Sequence, residues 1–170
     1  MGGVWIKGIH SCKRLNKKII FSEARKLSKK ICIIANGLLF IWFFFDMFGF
    51  SIGDFVLVES AWKDIDGIWY LIFIGLFVLF CIKEKYGKYP LSIFLFLWIT
   101  MQFTSHWYFT IFGATEAKLS GYNRFYANTW HIIPASDFRL IPDFYHIVLH
   151  LIILFALFCM VTYCIRRKKS

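Results

Sequence analysis

Two of the five histidines in this chain stand at a spacing that favours a shared chemical role. His146 and His150 are four residues apart, so a helix places both imidazoles on one side. Asp143 comes three residues before His146 and lies on that side one turn earlier. This D-x-x-H-x-x-x-H pattern predicts metal binding or proton transfer, with these three residues as the candidate catalytic groups.

A metal ion is the first ligand that the pattern indicates. His106, His146 and His150 are the predicted metal ligands. Asp46 either completes the set or, like Asp143, orients a liganding imidazole. Zinc or iron suits such donors, and an open coordination position would activate water against a lipid or peptide substrate. Haem held between His106 and His150 on facing helices is the alternative iron site.

A phosphate or lipid headgroup is the second candidate ligand. Arg124, His131 and Arg139 lie in the loop before the last apolar run, and they are the predicted substrate-binding residues. Arginine favours bidentate contact with phosphate oxygens. Asp137 and Asp143 argue partly against an anion pocket in the same loop.

The ionisable groups also share a depth in the predicted membrane spans. His106 and His150 each lie six residues inside an apolar run, or ~9 Å from its outer end at ~1.5 Å per residue. Asp46 lies four residues inside its own run, or ~6 Å. Such groups pair, line a cavity or serve function, because lipid does not solvate them. Alternatively, they only hydrogen-bond the helices together, for ~0.6–2 kcal/mol each.

Four apolar runs carry these residues, at 31–50, 65–82, 91–112 and 144–165. Hydrophobic residues make up 59% of the chain and its mean hydropathy is +0.61. A soluble domain of this size cannot bury that much apolar surface. A helix of ~20 apolar residues crosses a hydrocarbon core of ~30 Å. The sequence therefore predicts an all-α, polytopic membrane protein with four transmembrane helices.

The charges between the runs predict the orientation of the chain. Sixteen of the 20 basic residues fall in 1–30, 83–89 and 166–170, which hold only two acidic residues. By the positive-inside rule these segments are cytoplasmic, so both termini of this cell-membrane protein are expected in the cytoplasm. Topology and attraction to anionic lipid account for the net charge of +10, and no nucleic acid partner is expected.

The chain is expected to form one membrane domain, 31–165, between two basic ends. Residues 1–30 are either an amphipathic helix on the inner leaflet or a solvated cytoplasmic leader, and 166–170 form a cytoplasmic tail. Residues 113–142 contain too many aromatic side chains for a disordered loop. They are predicted to form a structured outer cap with a short helix near residues 122–130.

These features predict a small integral membrane protein that acts as a binding or accessory subunit. Its partners would be membrane lipids, other membrane proteins or further copies of itself. The alternatives are a zinc- or iron-dependent membrane enzyme acting on a lipid or another membrane substrate, and a haem-binding redox protein.

Overall fold

The structure, a computed structural model, describes residues 3–134 and 136–168, which are mostly helical. The helices are α1 (Gly3–Phe48), α2 (Ile65–Ile82), α3 (Glu84–Gln102), α4 (Tyr108–Phe112), α5 (Glu116–Phe125) and α6 (Phe144–Lys168). A π-helical turn, Phe103–Trp107, joins α3 to α4, and the strands β1 (Phe50–Ile52) and β2 (Phe55–Val58) form a hairpin after α1.

Three helices of the described chain are long and apolar enough to cross a membrane. They are Ser22–Phe48 within α1, the whole of α2, and Phe144–Arg166 within α6. The predicted run at 91–112 lies in α3, the π-helical turn and α4 in succession. The helical membrane class is therefore supported by three helices, while the fourth span stays a prediction.

Helix α1 is much longer than the apolar run at 31–50 that predicted it. It begins at Gly3 and continues to Phe48 without a break, so the basic leader and the first apolar run form one helix. No proline occurs before Pro90, and good helix formers such as lysine, arginine, alanine and leucine fill the leader. The basic leader is therefore helical from Gly3 onwards, and it is continuous with the first apolar run instead of forming a separate helix.

The long helices form a bundle in which α6 packs against both α1 and α3, and α2 packs against α3 and α1. Large aromatic side chains fill its centre. The ring centroids of Phe43 and Trp98 are 4.6 Å apart, and those of Phe80 and Tyr163 are 5.8 Å apart. Trp42 on α1 donates a hydrogen bond to the carbonyl of Tyr145 over 3.2 Å, which ties α1 to α6.

The connection between α2 and α3 is tighter than the sequence predicted. Only Lys83 separates the two helices, so Pro90 lies inside α3, beyond its first turn. Gly87 permits the close approach, because a Cβ there would lie 2.3 Å from the backbone nitrogen of Phe80. Glu84 accepts ion pairs from Arg25 at 3.0 Å and Lys29 at 3.3 Å, which fasten this turn to α1.

The two remaining connections pack on each other at the opposite end of the bundle. The β1–β2 hairpin turns through Gly53, whose φ of 58° suits glycine, and sequence analysis did not predict it. The backbone nitrogen of Trp130 donates to the carbonyl of Val56 over 2.9 Å, which joins the segment 113–142 to the hairpin. The helix in that segment is α5, which begins and ends earlier than the predicted helix near 122–130.

Candidate functional site

Three imidazole rings meet at the end of the bundle that carries the hairpin. His106 lies on the π-helical turn, and His146 and His150 lie on the first two turns of α6. The ring centroid of His106 lies 4.7 Å from that of His146 and 5.4 Å from that of His150. All three side chains are buried. The structure thus brings together the histidines that depth and spacing had selected, and we call them the histidine cluster.

The π-helical turn sets which side chains of the third apolar run face this cluster. Its wider turn is closed by the backbone nitrogen of Tyr108, which donates to the carbonyl of Phe103 five residues earlier. Gln102 and Trp107, also five residues apart, therefore reach the same imidazole. Single π-helical turns occur frequently at functional sites in other proteins.

His150 is held by hydrogen bonds at both ring nitrogens. The indole N–H of Trp107 donates to Nδ1 over 2.6 Å, and an indole has no other role in a hydrogen bond. The proton of the neutral ring then lies on Nε2, which donates to Oε1 of Gln102 over 3.1 Å. Neither nitrogen keeps a free lone pair, so His150 in this arrangement joins α6 to α3 and is not available as a metal ligand.

His146 is oriented by Asp143, which caps the start of α6. Oδ1 of Asp143 accepts a hydrogen bond from the backbone nitrogen of His146 over 2.9 Å and another from its Nδ1 over 2.6 Å. Burial raises the pKa of the Asp143 carboxyl, but the hydrogen bonds and the charge of His146 outweigh burial and bring the pKa below its usual value. Nε2 of His146 has no hydrogen-bond partner among the described residues.

Two tyrosines of the segment 113–142 cover the histidine cluster. The hydroxyl of Tyr122 lies 3.0 Å from Nδ1 of His106, and the ring of Tyr126 is 5.2 Å from that of His146. Burial raises the pKa of both tyrosine hydroxyls, so both are neutral at physiological pH. Helix α5 and the turn after it therefore close the site from above.

A cavity of about 180 Å³ opens beside His146, between the end of α1, the start of α2 and the segment 113–142. Asp46 of α1 lines it and is only 6% exposed, so it does not mark a solvated helix end. The Asp46 carboxylate has no hydrogen-bond partner among the described residues. The other lining residues are Val58, Glu59, Ser60, Ala61, Asp64, Asp66, Phe125, Tyr126 and Thr129.

The predicted metal site does not take shape in the part of the chain that the structure describes. There, no group of three or more histidine, cysteine, aspartate or glutamate side chains is arranged to hold a metal ion. The nitrogens of His150 are both engaged, which leaves His106, His146 and Asp46 of the predicted set. The rings of His106 and His150 are in contact, with no space for a porphyrin between them. The described donors therefore form no metal-binding group as placed, and binding of zinc, iron or haem at these residues stays a prediction.

The predicted phosphate-binding residues lie apart from one another. Arg124 lines a shallow surface pocket with Glu59 and Asn128, and Arg139 is exposed. Nδ1 of His131 bonds to the carbonyl of Thr129 over 2.8 Å. In the described segment no hydrogen bond or ion pair joins Arg124, His131 and Arg139, so their joint role in anion binding stays a prediction.

No protein-family model, curated protein or solved structure matches this chain. Several side chains belong to the site although the sequence patterns gave them no role in it, namely Trp107, Tyr126, Glu59, Asp64 and Asp66. Their common signal is position, since each lies in a predicted outer connection or close to the outer end of a predicted span.

Proposed function

We propose that this chain is a four-span protein of the cell membrane, with both termini in the cytoplasm. The proposed fourth span is the apolar stretch 91–112, which continues from α3 through the π-helical turn into α4 and packs against α6. The basic segments 1–30, 83–89 and 166–170 support this orientation by the positive-inside rule. The histidine cluster and the cavity then lie at the outer boundary of the membrane.

The function that the geometry supports best is binding of a polar ligand in this outer cavity. The observation that carries the proposal is the carboxyl group of Asp46 on its wall, which has no hydrogen-bond partner among the described residues although Asp46 is only 6% exposed. A ligand that donates hydrogen bonds to this carboxyl group binds favourably, because hydrogen bonds to charged groups contribute ~1.5–3 kcal/mol. Such a ligand-binding cavity at the membrane boundary is consistent with a binding or accessory subunit that contacts lipids or another membrane protein.

Proton-transfer catalysis is a second candidate, favoured by the contact between Asp143 and His146. A carboxylate bonded to Nδ1 fixes the tautomer in which Nε2 is a general base, as in hydrolases that use a histidine–aspartate pair. Incubation of the purified protein with total membrane lipid distinguishes the two functions. A new lipid product that disappears with His146→Ala indicates an enzyme, whereas unchanged lipid indicates a binding protein.

Thiol labelling of an Ala61→Cys variant tests the proposed cavity in intact cells. Ala61 lines the cavity, and the substitution keeps the hydrogen bond from its backbone nitrogen to the carbonyl of Asp46. We expect the impermeant cationic reagent trimethylammonium-ethyl methanethiosulfonate to react at least about tenfold faster than the anionic sulfonatoethyl reagent, because the lining carboxylates attract cations. The measurement is the ratio of the two rates.

The matched control for this experiment is Ser120→Cys, on the exposed side of α5. Ser120→Cys should react with both reagents at similar rates in intact cells, and it corrects for their intrinsic reactivity. Reaction of either variant only after the cells are permeabilised would place this end of the bundle in the cytoplasm. Equal corrected rates at Ala61→Cys would exclude an open acidic cavity.

A further inference from the structure

We infer that the outer cavity binds a primary ammonium group, an inference that rests on the binding function proposed above. Four carboxylate side chains line the cavity, those of Asp46, Glu59, Asp64 and Asp66. Neither lysine nor arginine is among the described residues that line it. These four carboxyl groups outnumber His146, the one basic side chain on the described wall, so the wall attracts a cation.

A buried carboxyl group on the wall favours a ligand with hydrogen-bond donors. Asp46 lines the cavity and is only 6% exposed, and its carboxyl oxygens have no hydrogen-bond partner among the described residues. A primary ammonium donates several N–H bonds from one atom and accepts none, so it satisfies the acceptors of this carboxyl group.

The dimensions of the cavity favour an organic cation over a bare metal ion. A metal ion draws its ligands to ~2.0–2.6 Å, and no described set of three acidic, histidine or cysteine side chains is close enough to do so. A volume of about 180 Å³ instead admits a short aminoalkyl group. The rings of Phe125 and Tyr126 on the wall add an aromatic surface for a cation.

A quaternary ammonium is a poorer match than a primary one. It carries a similar charge and also contacts aromatic rings, but it has no N–H to donate. The carboxyl group of Asp46 would then gain no hydrogen bond from the ligand. The cavity should therefore discriminate between ethanolamine and choline, which differ only in the methyl groups on nitrogen.

An aminoalkyl group could reach the cavity from a free amine or from the headgroup of an aminophospholipid. Binding from either source can be measured as protection of Ala61→Cys, that is, as slower labelling of this cysteine by the neutral reagent methyl methanethiosulfonate. In detergent, ethanolamine and choline are the probes. In lipid nanodiscs, phosphatidylethanolamine and phosphatidylcholine are the probes. The proposal predicts that a primary amine slows labelling about tenfold and that its quaternary partner does not.

Two isosteric variants connect protection to the cavity. Asp46→Asn removes the buried charge and should abolish protection, while Asp54→Asn, in the exposed hairpin turn, should retain it. Protection by free ethanolamine identifies a soluble amine as the ligand, and protection only by phosphatidylethanolamine identifies a headgroup. No protection by either amine, equal protection by choline, or protection that survives Asp46→Asn would overturn the inference. The binding function itself would fail separately, through loss of charge selectivity at Ala61→Cys.

Discussion

Replacing Asp143 by alanine is expected to lower the free energy of unfolding in detergent by about 3 kcal/mol. Asp143 is fully buried, and its Oδ1 accepts two hydrogen bonds from His146, one from the backbone nitrogen and one from the imidazole. Alanine removes the cap of α6 and leaves the imidazole N–H without its acceptor. The measurement is the midpoint of thermal unfolding, compared with that of the wild-type protein.

Asp143→Asn is the matched control, because its amide oxygen keeps the shape and the acceptor but not the charge. We expect a smaller loss, about 1 kcal/mol at neutral pH. Since the folded pKa of Asp143 lies below its usual value, the stability from its charge is complete above pH ~4. It is lost as the pH falls through the lower pKa of the folded state. Equal stability of wild type and Asp143→Ala would contradict the role of Asp143 in holding His146.

Replacing Gly87 by alanine should also destabilise the protein strongly, at the opposite end of the bundle. The added Cβ would lie 2.3 Å from the backbone nitrogen and 2.4 Å from the Cα of Phe80. Backbone atoms of α2 cannot move aside as a flexible side chain would, so α2 and α3 must separate. We expect a loss of at least about 3 kcal/mol, measured as unfolding in detergent or as loss of folded protein on expression.

Gly75→Ala provides the control, because Gly75 lies in α2, the helix that carries Phe80, and a Cβ there meets nothing within 4 Å. Alanine favours a helix over glycine by up to ~1 kcal/mol, so this variant should be as stable as wild type or more stable. A Gly87→Ala protein with the stability of Gly75→Ala would show that α2 and α3 do not approach as closely as the structure has them.

The helical class and the position of the site were predictable because both depend on short-range patterns. Apolar runs define helices in a lipid-facing chain, and the structure has three that are long enough to cross a membrane. The spacing of His146 and His150 defines one helix face, and the depth of His150 matches that of His106 on a different helix. Ionisable groups at one depth that avoid lipid face the interior of the bundle, where they can meet.

The details within the site were not predictable, because they depend on local backbone geometry. A π-helical turn has no compositional signature in F-T-S-H-W, yet it brings Trp107 to His150. From sequence, Trp107 was an ordinary aromatic residue near the membrane boundary. Without this contact, His150 had two free nitrogens and qualified as a metal ligand.

The acidic wall of the cavity was missed for a different reason, namely long-range packing. Asp64 ends a short acidic connection and Asp66 lies at the start of the next apolar run, and the negative charge of both was explained by topology alone. The β1–β2 hairpin and the start of α2 fold this connection over the end of α1, next to Asp46. The sequence did contain a signal for the hairpin, because Gly53 and Asp54 lie between two short segments that are rich in β-branched and aromatic residues.

Native mass spectrometry of the protein purified from its own membranes, compared with Asp46→Asn, shows whether the outer cavity holds a ligand. Purification should avoid chelators and metal-affinity tags. We expect a bound organic molecule on the wild-type protein that is absent from Asp46→Asn, with both proteins folded. Stoichiometric zinc or iron on the wild-type protein, or two bare proteins, would contradict a cavity that binds a polar organic ligand.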